Sequence, residues 1–497
     1  MASLARLVEA AETLDTLSLR SFNDSALRLS FLLDQTRCIG CHACTVACKS
    51  ENEVPLGVFR TWVKYIEKGA IPDARRHFAV LRCNQCEDAP CITICPTNAL
   101  FKRKDGIVDF DSDACIGCKS CMQACPYDAL YIDPATQTAA KCNFCSHRVD
   151  QGLQPACQIV CPTQAIISGD IDDPMSEISK LIAEGETKVR KSDQGTGPTV
   201  RYLGADDVAL DPRLERVEAP LFTDASCVAP HQGAEQDPTL PREVYDVQHA
   251  TPWGWKVWSY LWTKSIASGL LIVAAFFGFT SKAIPIASLV FITVTAALLV
   301  FDLKRPERFW YLMVRPNFRS WLVWGGYILG AFGAISAAWL FFGPTPLIKA
   351  LAVVLGAGAA GYTAFLFNQC EGRDFWQSRL LLPHLLVEAV ACGAACLVLA
   401  GAETSTWAAV AQLASLVCIV FDLMWEHDNV DHTRAAKSIL NEPTFTGVVL
   451  LGSLVGALLL LFGSVDGMRY IGALLVLAAS FEYGRLWIRG GQVPKLS

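Results

Sequence analysis

From Trp253 to Ile488 the apolar residues fall into eight long runs with short polar breaks, a pattern the first half of the chain lacks. A hydrocarbon core of ~30 Å takes about 20 helical residues to cross. The runs therefore predict eight membrane helices, over roughly 257–279, 283–303, 320–342, 347–367, 380–401, 405–424, 444–463 and 468–488. Between 28 and 205 apolar residues come in short groups punctuated by Gly, Pro and Cys, which predicts small strands and tight loops. SEISKLIAEG (176–185) has helical spacing, SDQGTGPTV breaks it, and the rest of 168–250 reads as an extended strap. The expected divisions are an N-terminal extension (1–27), a cysteine-rich domain (28–205), a linker (206–252) and a membrane domain (253–490).

An even number of crossings returns the C-terminal end to the side of the cysteine-rich domain. Loops on that side carry many cations, among them Lys304, Arg305, Arg308, Arg315, Arg319 and Arg373, whereas the opposite loops offer Lys282, Lys349 and Arg469. The asymmetry predicts a cytoplasmic cysteine-rich domain on a multi-pass inner-membrane protein. The N-terminus lacks an apolar export segment, which agrees. A net charge of -6 gives no reason to expect a nucleic-acid partner.

Composition adds 21 cysteines, and sixteen form four quartets: Cys38/Cys41/Cys44/Cys48, Cys83/Cys86/Cys91/Cys95, Cys115/Cys118/Cys121/Cys125 and Cys142/Cys145/Cys157/Cys161. Three close on Cys-Pro; the first has Lys49 in place of the proline. A disulfide framework does not need C-x2-C-x2-C. Zinc suits paired C-x2-C but explains neither the third cysteine nor the Cys-Pro ending. A [4Fe-4S] cube is wrapped by three such cysteines, with a fourth from a partner motif. Four quartets suggest conduction over distance rather than sensing. Cys227, in the strap, reads as a free thiol.

LRCNQCEDAPCITICPTNALFKRKDGIVDFDSDACIGCKSCMQACPYDALYIDP, followed by AAKCNFCSHRVDQGLQPACQIVCPTQAI, resembles the four-cluster electron-transfer subunit of molybdopterin oxidoreductases such as polysulfide and dimethyl sulfoxide reductases. The resemblance covers about 28–205 and implies that motifs exchange their fourth cysteines. Cys38, Cys41, Cys44 and Cys161 would hold one cube, and Cys142, Cys145, Cys157 and Cys48 its neighbour. Cys83, Cys86, Cys91 and Cys125 would hold a third, and Cys115, Cys118, Cys121 and Cys95 a fourth. Some relatives replace a cysteine of the third motif; Cys121 is present here, so four [4Fe-4S] clusters are expected. Lys49 beside Cys48 is expected to raise the potential of its cluster modestly.

FDLKRPERFWYLMVRPNFRSWLVWGGYILG resembles the integral-membrane subunit of the polysulfide reductase and formate-dependent nitrite reductase (NrfD-like) family, which implies quinone binding without haem. Independently, a haem spanning helices needs two facing histidines, and of eight histidines His384 alone lies in a membrane run. The fold class expected is therefore α+β, a ferredoxin-like four-cluster domain of two double-cluster ferredoxin units, followed by an all-α eight-helix transmembrane bundle.

VFDL ends the second and sixth runs, while ASG (267–269) and ACG (391–393) sit in the first and fifth, which suggests two four-helix repeats. Lys264 and Glu388 would be equivalent, each about 12 Å into the membrane at 1.5 Å per residue. Charges at that depth face the protein interior and pair or carry function. Lys264, His384 and Glu388 are thus candidates for a quinone headgroup or proton path, against a structural ion pair. Trp253, Trp255 and Tyr260 suit an interfacial aromatic belt, with quinone stacking as the alternative. Asp302, Asp422 and EHDNVDH (426–432) suit solvated loops rather than a metal.

No nucleophile or phosphate loop is evident. The sequence reads as the electron-transfer and membrane-anchor subunit of a respiratory oxidoreductase, relaying electrons between a separate molybdopterin-containing catalytic subunit and the membrane pool of menaquinone or ubiquinone. In most relatives these modules are separate chains; fusion fixes them at one to one. The alternative is a subunit of an ion-translocating respiratory complex without a molybdenum partner, with Glu388, Asp302 and Asp422 as a relay. Terminal substrate and direction of electron flow are not written in this chain.

Overall fold

A computed structural model describes residues 27–69, 72–214, 241–424 and 429–497. Nearly all of the N-terminal extension, Cys227 and residues 426–428 of EHDNVDH lie outside these.

The cysteine-rich domain is built on a four-stranded sheet in the order β8-β1-β10-β9, made of Ile166–Asp170, Leu29–Asp34, Arg201–Leu203 and Thr187–Lys188. β1 pairs parallel with β10 and antiparallel with β8. Its run of apolar residues is buried throughout, as a central strand requires. A second sheet joins β2 (Thr61–Lys68) to β3 (Arg75–Arg82) in unbroken register from Thr61↔Arg82 to Lys68↔Arg75. Two small hairpins follow, β4 (Leu100–Lys102) with β5 (Val108–Phe110) and β6 (Leu130–Ile132) with β7 (Ala139–Lys141). Short helices between these strands carry the motif cysteines.

Where it is described, the strap holds more regular structure than its composition suggests. SEISKLIAE forms a helix at Glu177–Glu184, with Ser176 capping it by accepting from Ser179 N. Residues 187–203 complete the first sheet, and β11 (Arg242–Tyr245) adds to the edge of β2. Exposed polar composition marks a chain crossing a surface, which does not distinguish a loop from an edge strand.

Eight long apolar helices make up the membrane domain among the described residues. We number them α1 (Trp255–Phe277), α2 (Ala283–Asp302), α3 (Trp321–Phe342), α4 (Pro346–Asn368), α5 (Leu381–Leu399), α6 (Ser405–Met424), α7 (Phe445–Phe462) and α8 (Asp466–Gly490). α7 opens with π-helical turns over Phe445–Leu451. Packing follows the repeat suggested by the sequence. α1 lies against α2 and α4 as α5 lies against α6 and α8, and the α3/α4 pair matches α7/α8. The halves meet where α1 crosses α5: Gly269 and Gly393, the ends of ASG and ACG, touch backbone to backbone. Self-contact between equivalent residues is what a two-fold axis produces.

Two expectations are corrected. Residues 430–440 form a helix capped by Asn429, and Asp431 and His432 within it are buried rather than solvated. The apolar face of this helix packs on α8, which draws the two polar side chains inward with it. Asp422 is also buried, accepting a hydrogen bond from Ser378 Oγ, and Asp302 is paired with Lys119.

Candidate functional site

Each cysteine motif is a tight loop leading into a short helix. Cys38–Cys41 and Cys115–Cys118 turn through Gly40 and Gly117, both at positive φ. Gly117 also packs against the Lys304 backbone and side chain, where a Cβ would collide. The helices follow at Ala43–Glu51 (Cys44, Cys48), Pro90–Ile94 (Cys91), Ser120–Ala124 (Cys121) and Ala156–Ile159 (Cys157). After Cys95, Cys125 and Cys161 the proline opens a turn completed by Asn98, Asp128 and Gln164, all left-handed.

These loops interlock so that the quartets are crossed. The Cys48 thiol faces Cys142, Cys145 and Cys157. Cys44 faces Cys38 and Cys161, and Cys38 faces Cys41 and Cys161. One internal cavity is lined by Cys83, Cys86, Cys91 and Cys125, another by Cys95, Cys115, Cys118 and Cys121. The remaining lining is mostly apolar. Among the described residues no three His, Cys, Asp or Glu groups close on a single metal ion. Thiols spaced around a cavity fit a multi-atom cluster better than a lone zinc. Burial pushes Cys157 and Cys125 up to about 11 and Cys118 up to about 12, so ionising all four thiols of a quartet needs the positive charge of bound iron.

Several donors point at the sulfurs. Gly117 N and Ala139 N each lie 3.4 Å from Cys115 Sγ, and Ala165 N lies 3.2 Å from Cys161 Sγ. Asn52 Nδ2 reaches Cys48 Sγ at 3.7 Å and Cys145 Sγ at 3.6 Å, and Arg82 Nη1 reaches Cys157 Sγ at 3.3 Å. Sequence reasoning passed over Asn52 and Arg82; their one signal was proximity in the chain to Cys48 and Cys83.

The quartets form a series. Arg82 faces Cys44 of one quartet and Cys142 and Cys157 of the next. Lys141 precedes Cys142 and faces Cys86 and Cys91 of the third, while Cys91 also faces Cys121 of the fourth. At one end Cys41 is exposed, flanked by exposed Ile39, Val46 and Ile159. At the other, Cys118 and Ser120 border a cavity of about 110 Å³ at the membrane domain.

That cavity lies within the first half of the bundle. Val257 and Tyr260 of α1, Leu299 and Asp302 of α2, Gly326 of α3 and Tyr362 of α4 line it, together with Trp253. It is apolar apart from the two tyrosines, Asp302 and Ser120, a lining typical of sites for apolar ligands. Tyr260 is thus brought to the cavity. Trp255 is exposed on the outside of α1 and is not. Trp253 is buried and stacks on Trp376 at 5.3 Å, so it is not a belt residue.

Lys264 lies one turn beyond Tyr260, fully buried. Its Nζ donates to Ala360 O at 2.8 Å and Thr363 Oγ1 at 2.6 Å, and sits 5.1 Å from the Tyr362 ring centroid. Glu388 is buried within electrostatic reach but forms no ion pair with it inside 4 Å among the described residues. The ammonium's short partners are on α4, which fixes α4 on α1. Glu388 shares a separate cavity of about 20 Å³ with His384, Ser480 and Tyr483, between α1, α5 and α8. His384 Nε2 is buried there without a hydrogen-bond partner among the described residues, while Ser480 lies beside the Cys392 thiol. The space suffices for one water, which needs about 10–15 Å³.

The stretch FDLKRPERFWYLMVRPNFRS grips the loops of the fourth quartet, around Cys115 and Cys95. Lys304 N and Arg305 N donate to Gly117 O and Ile116 O, and Arg308 Nη1 to Ser112 O and Cys115 O. Asn317 Nδ2 donates to Cys95 O at 2.8 Å and Ser320 Oγ to Ile94 O at 2.7 Å. On the far side Arg373 Nε donates to Gln123 Oε1.

Comparison with known proteins agrees with this division. Residues 75–171 match the 4Fe-4S dicluster domain and 243–487 match the family described as polysulphide reductase, NrfD. A tetrathionate reductase subunit of Salmonella typhimurium is 44% identical over 199 residues, covering 39% of this protein and 80% of that one. A polysulfide reductase chain of Wolinella succinogenes is 44% identical over 178 residues, 35% of this protein and 92% of that one. The arsenate respiratory reductase iron-sulfur subunit ArrB of a Shewanella species is 34% identical over 227 residues, 36% and 96%.

Proposed function

Since this protein belongs to the iron–sulfur electron-transfer subunits of the polysulfide and tetrathionate reductase type, here continued into a membrane domain of the NrfD family, we propose that it conducts electrons between a separate molybdopterin-containing catalytic subunit and membrane quinone. In this reading the four crossed quartets hold four [4Fe-4S] clusters, which supply one-electron transfer. The catalytic subunit docks on the face around Cys41, and that face looks into the cytoplasm. The observation that carries the reading is continuity: the quartets run in sequence from exposed Cys41 to Cys118, which borders the apolar membrane cavity.

Quinol oxidation delivers two electrons and two protons; reduction takes them up. In this reading the Tyr260 and Tyr362 hydroxyls, among the few polar groups lining the cavity, hydrogen-bond a ring oxygen, and Asp302, linked through Lys119 to the Cys118 loop, exchanges a proton. The protein must therefore pass a quinone's electrons one at a time across the short gap to the last quartet. His384 and Glu388 are assigned to proton holding rather than to quinone contact, because their own cavity admits a water but no ring. Lys264 fastens α4 behind Tyr362.

Affinity purification from native membranes tests the proposal. A large molybdenum-containing partner is expected to co-purify, with quinone-linked turnover that Tyr260→Phe reduces at least tenfold without loss of iron. A haem-rich assembly free of molybdenum would overturn it.

A further inference from the structure

Arg82 ends β3 where three quartets meet. It precedes Cys83, its Nη1 is 3.3 Å from Cys157 Sγ, and its charge faces Cys157, Cys142 and Cys44. The side chain is completely buried, with the guanidinium 4.3 Å above the Phe31 ring. Nε and Nη2 have no hydrogen-bond partner, and no carboxylate lies within 4 Å among the described residues. A buried cation without a counter-ion is strongly disfavoured. Among the described residues the thiolates it faces, Cys157, Cys142 and Cys44, are the only negative charges at hand. Four thiolates around a [4Fe-4S] core leave a net negative charge, which grows by one on reduction, so a fixed cation beside the cluster favours the reduced form.

The other sites are provided for differently. Lys119 spends its charge on Asp302 at 2.8 Å. Lys141, between the second and third quartets, donates to Val108 O and Cys142 O rather than to sulfur. Lys49 donates to Pro55 O and Val58 O. Arg82 is, among the described residues, the one charged donor on any of the sixteen sulfurs, and the same quartet receives Asn52, itself held by Arg60.

We propose that Arg82 makes the cluster on Cys48, Cys142, Cys145 and Cys157 the most readily reduced of the four, an electron-holding point one step in from the Cys41 face. The proposal rests on the four-cluster reading above. An electron arriving from either end resides there, while the following electron of a two-electron substrate waits on a neighbouring cluster.

Potentiometric titration of the purified full-length complex, followed by electron paramagnetic resonance, reads this alongside iron and acid-labile sulfide content. Arg82→Gln is expected to lower the highest midpoint by at least tenfold in the oxidised-to-reduced ratio, about 59 mV for one electron. The two clusters nearest the membrane should move less. Arg82→Lys keeps the charge but withdraws the donor, and should shift the same midpoint by a smaller amount. Full iron with all midpoints unmoved in Arg82→Gln, or a shift confined to the clusters nearest the membrane, overturns the proposal. If the Gln variant does not take up iron, an unmoved highest midpoint in Arg82→Lys does so instead. Wild-type protein with iron for fewer than four clusters would refute the underlying four-cluster reading instead.

Discussion

Cys48 sits in mid-helix, and this accounts for the missing proline. The helix Ala43–Glu51 continues three residues past it, whereas after Cys95, Cys125 and Cys161 the chain turns at once. Proline at 49 would remove a helical N–H and clash one turn back, costing about 3 kcal/mol. The Lys49 ammonium ties down the loop that follows, donating to Pro55 O at 2.8 Å and lying 4.3 Å from the Phe59 ring centroid. Lys49→Pro is therefore expected to lose iron and thermal stability. Lys49→Gln should keep all four clusters, with midpoints displaced less than in Arg82→Gln. Deeper in the membrane, Glu388 shares its small cavity with His384, whose Nε2 has no partner among the described residues. Glu388→Gln should slow quinone turnover at least tenfold with iron content intact; normal turnover would leave these residues as helix packing only.

Gly269 and Gly393 hold the halves of the bundle together. A Cβ on Gly269 would stand 1.8 Å from Ala389 O, and one on Gly393 2.1 Å from the Gly269 carbonyl carbon. Both obstacles are backbone, so neither can rotate aside. Gly393→Ala must part α1 from α5, at the cost of about 1–3 kcal/mol or more that overpacking carries; it should lower the melting temperature of the detergent-solubilised protein and cut quinone turnover. All eight helices were readable from the apolar runs, because crossing a bilayer constrains length and composition together. Lys264 was readable as a charge in apolar surroundings, and Tyr260 as an aromatic at the helix entry. The cavity beside Cys118 was not: Val257, Leu299 and Gly326 look like any packed helix residues, and only the docking of four helices under the cysteine-rich domain opens a space among them. Nor was the grip on the fourth quartet, since Asn317, Ser320 and Arg308 bind backbone carbonyls, whose position no side-chain pattern records.

At the scale of the molecule, the electron path proposed above runs only while the seam between the cysteine-rich domain and the bundle holds, and polar contacts such as Lys119–Asp302 and Asn317 Nδ2 to Cys95 O cross that seam. Orientation is tested first. With the cationic loops inside the cell, Ser281→Cys and Ser464→Cys in the opposite turns should react with a membrane-impermeant maleimide in intact cells, and Lys68→Cys only after lysis. The linker supplies the pH-dependent part of the seam. His249 Nδ1 lies 2.6 Å from Asp128 Oδ2, just past Cys125, and Nε2 lies 3.5 Å from Asp246. Burial alone would push His249 down; the hydrogen bonds to Asp128 and Asp246 overcome it and carry the imidazole up to about 10. A group raised on folding stabilises fully below its ordinary value near 6.5, and the contribution is lost as pH climbs through 10. Thermal stability of the wild type should therefore fall between pH 6.5 and 10 more steeply than that of His249→Gln, the two curves drawing together at the alkaline end. Parallel curves across that range would mean that the His249–Asp128 contact adds nothing to the seam.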